Sequence, residues 1–376
     1  MSGGETLVFF SPLAQYRPHW EVFERLCVLR GATGHVIGTA ELEIPEVHRQ
    51  IGWVEASAPG SPVVSLEPQP AGGRASRSLG LRRRLAELSP DGILLGPEPH
   101  DKRVLAALAA LETLRTPTVV SMAMENRVQL PGGWRRPAIR ALWRRLDGVA
   151  AAAGATVESY RQAGLPAGAR VASPCAAVLP PPASVVPLDL RAVLPGVEVV
   201  VGFVGRFVEE KGLVVLLDAI ERCDGVGLAC AGGGPLESEI ARRSQGSLQG
   251  RIALLGMLPR GDVWRMLAAT DVLALPSLTT EGWSEQFGYV LAEAMALSVP
   301  LVGSSSGAIP EVVGDAGTIA AEGSVEALAM AIRTLAGDAV LRATLGENGR
   351  RRYEAEFTVD ACATRMSRLF DDCRRR

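Results

Sequence analysis

The chain has 376 residues, 47% of them apolar, and a formal net charge of −2. That length favours two domains of ordinary size, each with enough apolar content for its own core. The near-zero charge gives no whole-chain attraction to nucleic acid, and no stretch approaches the ~20 apolar residues of a membrane span.

The start, Met1-Ser2-Gly3-Gly4-Glu5-Thr6, lacks the basic segment of a secretory signal. Six cysteines, Cys27, Cys175, Cys223, Cys230, Cys362 and Cys373, are scattered without a CxxC. They are expected to be reduced core thiols of a cytoplasmic protein.

In the first half, short apolar runs predict strands at 7–10, 36–37, 63–66, 92–95, 118–120 and 148–150. Helical periodicity at 104–114 and 138–146 falls between them, so the alternation predicts a parallel sheet. The Pro/Ala-rich segment 180–195 breaks the pattern and is expected to link two domains. Strands resume at 199–204 and continue at 228–229, 252–254, 272–275, 300–302 and 318–319. Residues 358–376 form a last helical pattern, whose charged end, from Asp371 to Arg376, is expected to be solvated.

The second half carries the chemistry. Glu285 and Glu293 lie eight residues apart, between the strand ending at Pro276-Ser277 and the strand at 300–302. If a helix starts near Phe287, Glu293 stands about two turns in, facing the helix mouth. A helix N-terminus favours an anion, and carboxylates accept hydrogen bonds from sugar or ribose hydroxyls, which together suit a nucleotide sugar. Of the 39 basic side chains only Lys102 and Lys211 are lysines. Lys211 follows a strand in a Gly-Arg-x4-Lys-Gly pattern with Arg206, where a guanidinium fork and a compact ammonium can share a diphosphate. The plain alternative is a solvated lysine paired with Glu209 or Glu210.

The motifs Gly205-Arg206 with Lys211-Gly212, Gly232-Gly233-Gly234-Pro235, Leu255-Gly256, Pro276-Ser277, Glu285 to Glu293 and Gly307-Ala308-Ile309-Pro310-Glu311 occur in one order over 199–315. In this they resemble the retaining glycosyltransferases of family 4, with the GT-B fold and an E-x7-E motif. The resemblance implies two Rossmann-like domains facing across a cleft. Residues 1–187 would bind the acceptor, 188–360 the nucleotide sugar, and 361–376 would be a helix returning to the first domain.

It implies catalytic roles for Arg206, Lys211 and Glu285, and donor contacts from Gly205, Gly233, Gly256, Met257, Phe287, Gly288, Tyr289 and Glu293. The implied activity is transfer of a sugar with retention to a glycan, a lipid-linked sugar or a small molecule. No metal or cofactor is expected, since no Asp-x-Asp pair follows a strand and no His/Cys cluster has ligand spacing. A phosphorylase or nucleotide-sugar epimerase on the same scaffold, or a nucleotide-sugar-binding protein impaired in turnover, is the alternative.

The first half departs from the family pattern. No glycine pair follows the first strand, and the family's usual histidine would fall near Ala123. Some relatives with the same Glu-Gln-Phe-Gly signature resemble this chain in having Glu-Pro after the fourth strand and Glu-Asn after the fifth. This implies Glu98, His100, Glu125 and Asn126 as acceptor-side candidates, each with a strand-end turn or cap role as its alternative. His19, which follows the first strand, is a further candidate. His35 and His48 have no supporting context. The basic segment 135–145 could touch an anionic membrane, as could the run Arg82-Arg83-Arg84. Ile139, Leu142, Trp143 and Leu146 at helical spacing favour instead one buried and one solvated face.

Overall fold

The computed structural model describes residues 4–14, 16–38, 57–68, 74–96, 98–111 and 117–374. His48 lies outside them. The chain divides into two compact units, 1–177 with 358–376, and 178–357. The segment 180–195 is part of the second unit, where Leu188 N–H donates to the Arg265 carbonyl (3.0 Å) and Leu190–Val193 forms a short helix.

In the first unit seven parallel strands stand in the order β3-β2-β1-β4-β5-β6-β7. These are β1 (Thr6–Phe10), β2 (Thr33–Gly38), β3 (Val63–Pro68), β4 (Gly92–Leu95), β5 (Thr118–Ala123), β6 (Gly148–Ala151) and β7 (Arg170–Ala172). β7 has no counterpart in the sequence reading, because three residues with no buried member give no period to detect. The second unit has six parallel strands in the order β10-β9-β8-β11-β12-β13. They are β8 (Val199–Val204), β9 (Val226–Ala231), β10 (Ile252–Gly256), β11 (Val272–Leu275), β12 (Leu301–Ser304) and β13 (Gly317–Ala320).

The strands read as near-continuous apolar runs because helices cover both faces of each sheet. Around β8, Phe203, Phe207, Leu213 and Leu217 pack on one side of the sheet, and Val200, Ala229 and Met266 on the other. In each sheet the strand order reverses beside the first strand, at β1/β4 and at β8/β11. That is where α/β sheets open a crevice outside their carboxyl ends.

The last helix, Val359–Arg374, buries Cys362, Met366, Leu369 and Phe370 in the core of the first unit. Asp371, Asp372 and Arg374 at its end are exposed, and within that exposed end Asp371 pairs with the nearly buried Arg30 at 2.9 Å and Arg374 with Glu5 at 2.6 Å. Among the described residues no helix is long and apolar enough to cross a membrane.

Candidate active site

At the β8/β11 switch point the loop after β8 meets the loop after β11. A short 3₁₀ turn, Glu209–Lys211, ends on Gly212 in the left-handed region at φ 67°. A Cβ at Gly212 would stand 1.9 Å from the Pro276 carbonyl oxygen, so only glycine lets the two loops approach this closely. Leu278 N–H donates to the Glu210 carbonyl at 2.8 Å and fixes the register of the approach. We expect Gly212→Ala to cost about 2 kcal/mol or more, from strain and clash together. A thermal melt close to wild type would contradict this packing.

That approach brings Lys211 to Glu285. The ammonium donates to Glu285 Oε2 at 2.6 Å and lies 4.7 Å from the centre of the Trp283 ring. Ser277 Oγ donates to the same carboxylate oxygen at 2.7 Å. Both charged side chains are largely withdrawn from water, at 15% and 7% exposure. Lys211 therefore does not take Glu209 or Glu210 as its partner. Arg206 does take that plainer pairing, 59% exposed and 3.2 Å from Glu210.

The glycine motifs join the same surface. Gly205 N–H donates to the Ala231 carbonyl, Phe207 N–H to Gly233 (2.8 Å), and Gly232 N–H to Gly256 (2.8 Å). The ends of β8, β9 and β10 are thus tied into one platform. A Cβ at Gly232 would stand 1.8 Å from the Gly205 carbonyl oxygen. Met257, just beyond Gly256, is half exposed. On the other flank Ala308 N–H donates to the Glu285 carbonyl at 2.9 Å, and Ser306 Oγ bonds Thr279 Oγ1 at 3.0 Å. All six motifs are in this way physically contiguous within one unit.

The helix after Glu285 runs from Tyr289 to Ala296, with Gly288 in the left-handed region at φ 77° as its N-cap. It starts two residues later than the sequence suggests, so Glu293 stands about one turn in, not two. Apolar neighbours explain the late start: a Cβ at Gly288 would meet Leu275 at 2.8 Å and Leu291 at 2.9 Å. The Phe287 side chain turns into the core against Tyr289 and Phe357, which leaves only its backbone amide for the expected donor contact. Glu293 is 14% exposed and stands 3.3 Å from Arg260. Burial raises its carboxyl above the usual range, with Arg260 partly opposing.

In the first unit three of the acceptor-side candidates join through one residue that sequence reasoning missed. Tyr160, on the helix Gly154–Ala163, donates its O–H to Glu98 Oε2 at 2.7 Å, and His100 Nδ1 lies 2.8 Å from the same hydroxyl. His100 Nε2 stands 3.3 Å from Glu125. Both Glu98 oxygens also accept from Met124 N–H, at 2.9 and 3.1 Å. A tyrosine at a helix position carries no sequence signal of such a role. Asn126 borders a neighbouring groove. His19 is separate as well: its Nδ1–H donates to the Leu13 carbonyl at 3.2 Å, and burial lowers it to about 4, so it is neutral.

Burial pushes the Glu98 carboxyl up to about 7 against its hydrogen bonds from Tyr160 and Met124. Burial works to lower His100, but Glu125, Glu98 and Asp101 leave it above its ordinary value. Both groups hold protons more tightly in the folded state, so the stability they contribute is present at low pH. It is lost as pH rises from about 4.5, the ordinary Glu98 value, through about 7. For Glu98 alone the loss is on the order of 3 kcal/mol. Glu98→Gln should flatten the change in melting temperature between about pH 5 and about pH 8; an unchanged slope would remove Glu98 as its source.

Two parallel α/β units with these strand orders define the architecture of GT-B glycosyltransferases. Over its full length the chain superposes on a glycosyltransferase from Rickettsia africae with a TM-score of 0.74 and 13% identity, covering 99% of both chains. It also superposes on Anabaena Alr3699/HepE in complex with UDP, with a TM-score of 0.70 and 19% identity, covering 98% and 100%.

Residues 191–352 match the family model described as Glycosyl transferases group 1, so the second unit carries such a domain. Among similar proteins is the GDP-mannose-dependent monoacylated alpha-(1-6)-phosphatidylinositol monomannoside mannosyltransferase of Corynebacterium glutamicum. It is 32% identical over 171 residues, 44% of this chain and 45% of that protein. The O-antigen chain mannosyltransferase C of Escherichia coli is 32% identical over 161 residues, 42% of each. The chain spans less than half the length of the curated relatives it matches.

Proposed function

We propose that the protein is a family 4 glycosyltransferase that moves a sugar from a nucleoside-diphosphate sugar to a hydroxyl-bearing acceptor, with retention and without a metal ion. The observation that carries this reading is the Lys211–Glu285–Ser277 contact at the β8/β11 switch point, one helical entry away from the buried Glu293.

The diphosphate binds at Arg206, Lys211 and the N-terminus of the Tyr289–Ala296 helix, where charge growing on the leaving group meets cations already in place. As phosphate oxygens approach, the Lys211 ammonium shares its donors between them and Glu285. Glu285 is then available to accept from hydroxyls of the transferred sugar. Glu293 accepts from ribose hydroxyls, and Gly233, Gly256 and Met257 border the base. No residue among these is placed as a covalent nucleophile, so the acceptor attacks on the face the leaving group vacates and its proton passes to the departing phosphate oxygen.

Names of relatives and neighbours include GDP-mannose and UDP, so both bases belong in the test. Purified protein is screened against GDP- and UDP-sugars by melting shift and donor hydrolysis. One donor should raise the melting temperature and be hydrolysed with a chelator present. No shift with any donor would overturn the reading, and loss of hydrolysis in EDTA restored by magnesium or manganese would overturn its metal-free form.

A further inference from the structure

The first unit carries a cationic face that glycosyl transfer does not use. Arg127, Arg135, Arg136, Arg140, Arg144 and Arg145 fall within residues 127–146 with no acidic residue among them, in a chain whose net charge is −2. The eight residues 131–138, Pro-Gly-Gly-Trp-Arg-Arg-Pro-Ala, are all exposed, as are Arg140, Ala141 and Arg144.

Trp134 is 77% exposed, with the Arg135 guanidinium 6.0 Å from its ring centre. The other described tryptophans are buried (Trp20, Trp143 and Trp264) or partly buried (Trp283). A groove of about 740 Å³, bordered by Arg127, Gln129, Arg136, Arg140, Glu158 and Gln162, opens beside this face.

The helix Arg135–Trp143 is anchored from beneath. Ile139 and Trp143 are buried, Trp143 Nε1–H donates to the Pro99 carbonyl at 2.8 Å, and Arg140 Nε–H donates to the Ala163 carbonyl at 2.8 Å. Its apolar side is occupied by the core, so the helix cannot lay that side into lipid. What remains outward is one amphipathic ring and a field of arginines. Indole rings settle at the headgroup level, and each arginine near an anionic bilayer adds about 1 kcal/mol, roughly fivefold in partitioning.

We propose that the face from Trp134 to Arg144 docks on an anionic lipid surface, with Trp134 as a shallow anchor and Arg135, Arg136 and Arg144 as the electrostatic attachment. The structure has the one buried and one solvated face that helical spacing favours, and the docking uses the solvated one. The proposal is independent of the reaction assigned to the second unit.

The full chain is mixed with vesicles of phosphatidylcholine alone, or of phosphatidylcholine and phosphatidylglycerol in equal parts. Co-sedimentation and tryptophan emission are then followed at low and high salt. The expected result is binding to the anionic vesicles only, a blue shift in emission that Trp134→Phe removes, and weakening as salt screens the charges. Arg135→Gln/Arg136→Gln/Arg144→Gln should lower partitioning roughly a hundredfold. Three exposed arginines of the second unit, Arg242, Arg333 and Arg351, changed to Gln together serve as the control and should leave it within a few-fold.

Equal binding to neutral vesicles, or equal losses in the two triple variants, overturns the proposal. Tighter binding to soluble heparin than to vesicles, without the Trp134 shift, overturns it in favour of a general polyanion site.

Discussion

Replacing Lys211 with alanine should lower kcat/KM for donor turnover by ~10²-fold or more, because the proposed function makes the ammonium one of two cations at the leaving diphosphate. The same change should destabilise the fold by about 2 kcal/mol. It takes from Glu285, a carboxylate with 7% exposure, its ammonium partner, while the Ser277 hydrogen bond stays. Arg206→Ala should cause a comparable kinetic loss with no thermal cost. Arg206 is 59% exposed, and its pairing with Glu210 is of the kind worth under about 1 kcal/mol. The pair of variants therefore separates catalysis from folding. Normal turnover in folded Lys211→Ala removes the phosphate assignment, and a large drop in the melting temperature of Arg206→Ala contradicts the exposed position of that side chain.

The sequence was most legible where backbone constraint and chemistry coincide. Gly205, Gly212, Gly232 and Gly256 stand out as strand-end glycines, and the structure supplies the reason: their loops pass within a Cβ's width of one another or exchange backbone hydrogen bonds. The parallel sheets were equally plain, since strands covered on both faces are short apolar runs with nothing to mask them.

Pairings between side chains far apart in the chain were not legible. Lys211 has acidic neighbours at Glu209 and Glu210, so local spacing points to them. The fold instead carries it to Glu285, 74 positions away. Arg260 and Tyr160 have no motif around them, and only the folded chain sets one beside Glu293 and the other between Glu98 and His100. The start of the helix after Glu285 was misplaced by two residues for a similar reason. Phe287 has an apolar side chain that fits a helix as well as a core, and the left-handed Gly288, crowded by Leu275 and Leu291, delays the helix start past it.

The two glutamates of that segment should separate in a calorimetric titration of the sugar-free nucleoside diphosphate. Glu293 is buried, lies one turn into the helix and is assigned to ribose. Glu293→Gln should therefore weaken the nucleotide by about tenfold, the loss of one hydrogen bond to a charged group, and raise donor KM by a similar factor. Because burial raises the Glu293 carboxyl, nucleotide affinity in the wild type should fall as pH drops toward that raised value, and the Gln variant should lose this dependence.

Glu285 is expected to meet the transferred sugar, so Glu285→Gln should depress kcat while nucleotide affinity stays within a few-fold of wild type. The substitution also leaves the Lys211 ammonium without its carboxylate, so each variant is first melted and titrated only at temperatures where it is folded. If folded Glu285→Gln loses the nucleotide and Glu293→Gln keeps it, the roles are reversed. Glu285 would then act on the nucleotide together with Lys211, not on the sugar side of the site.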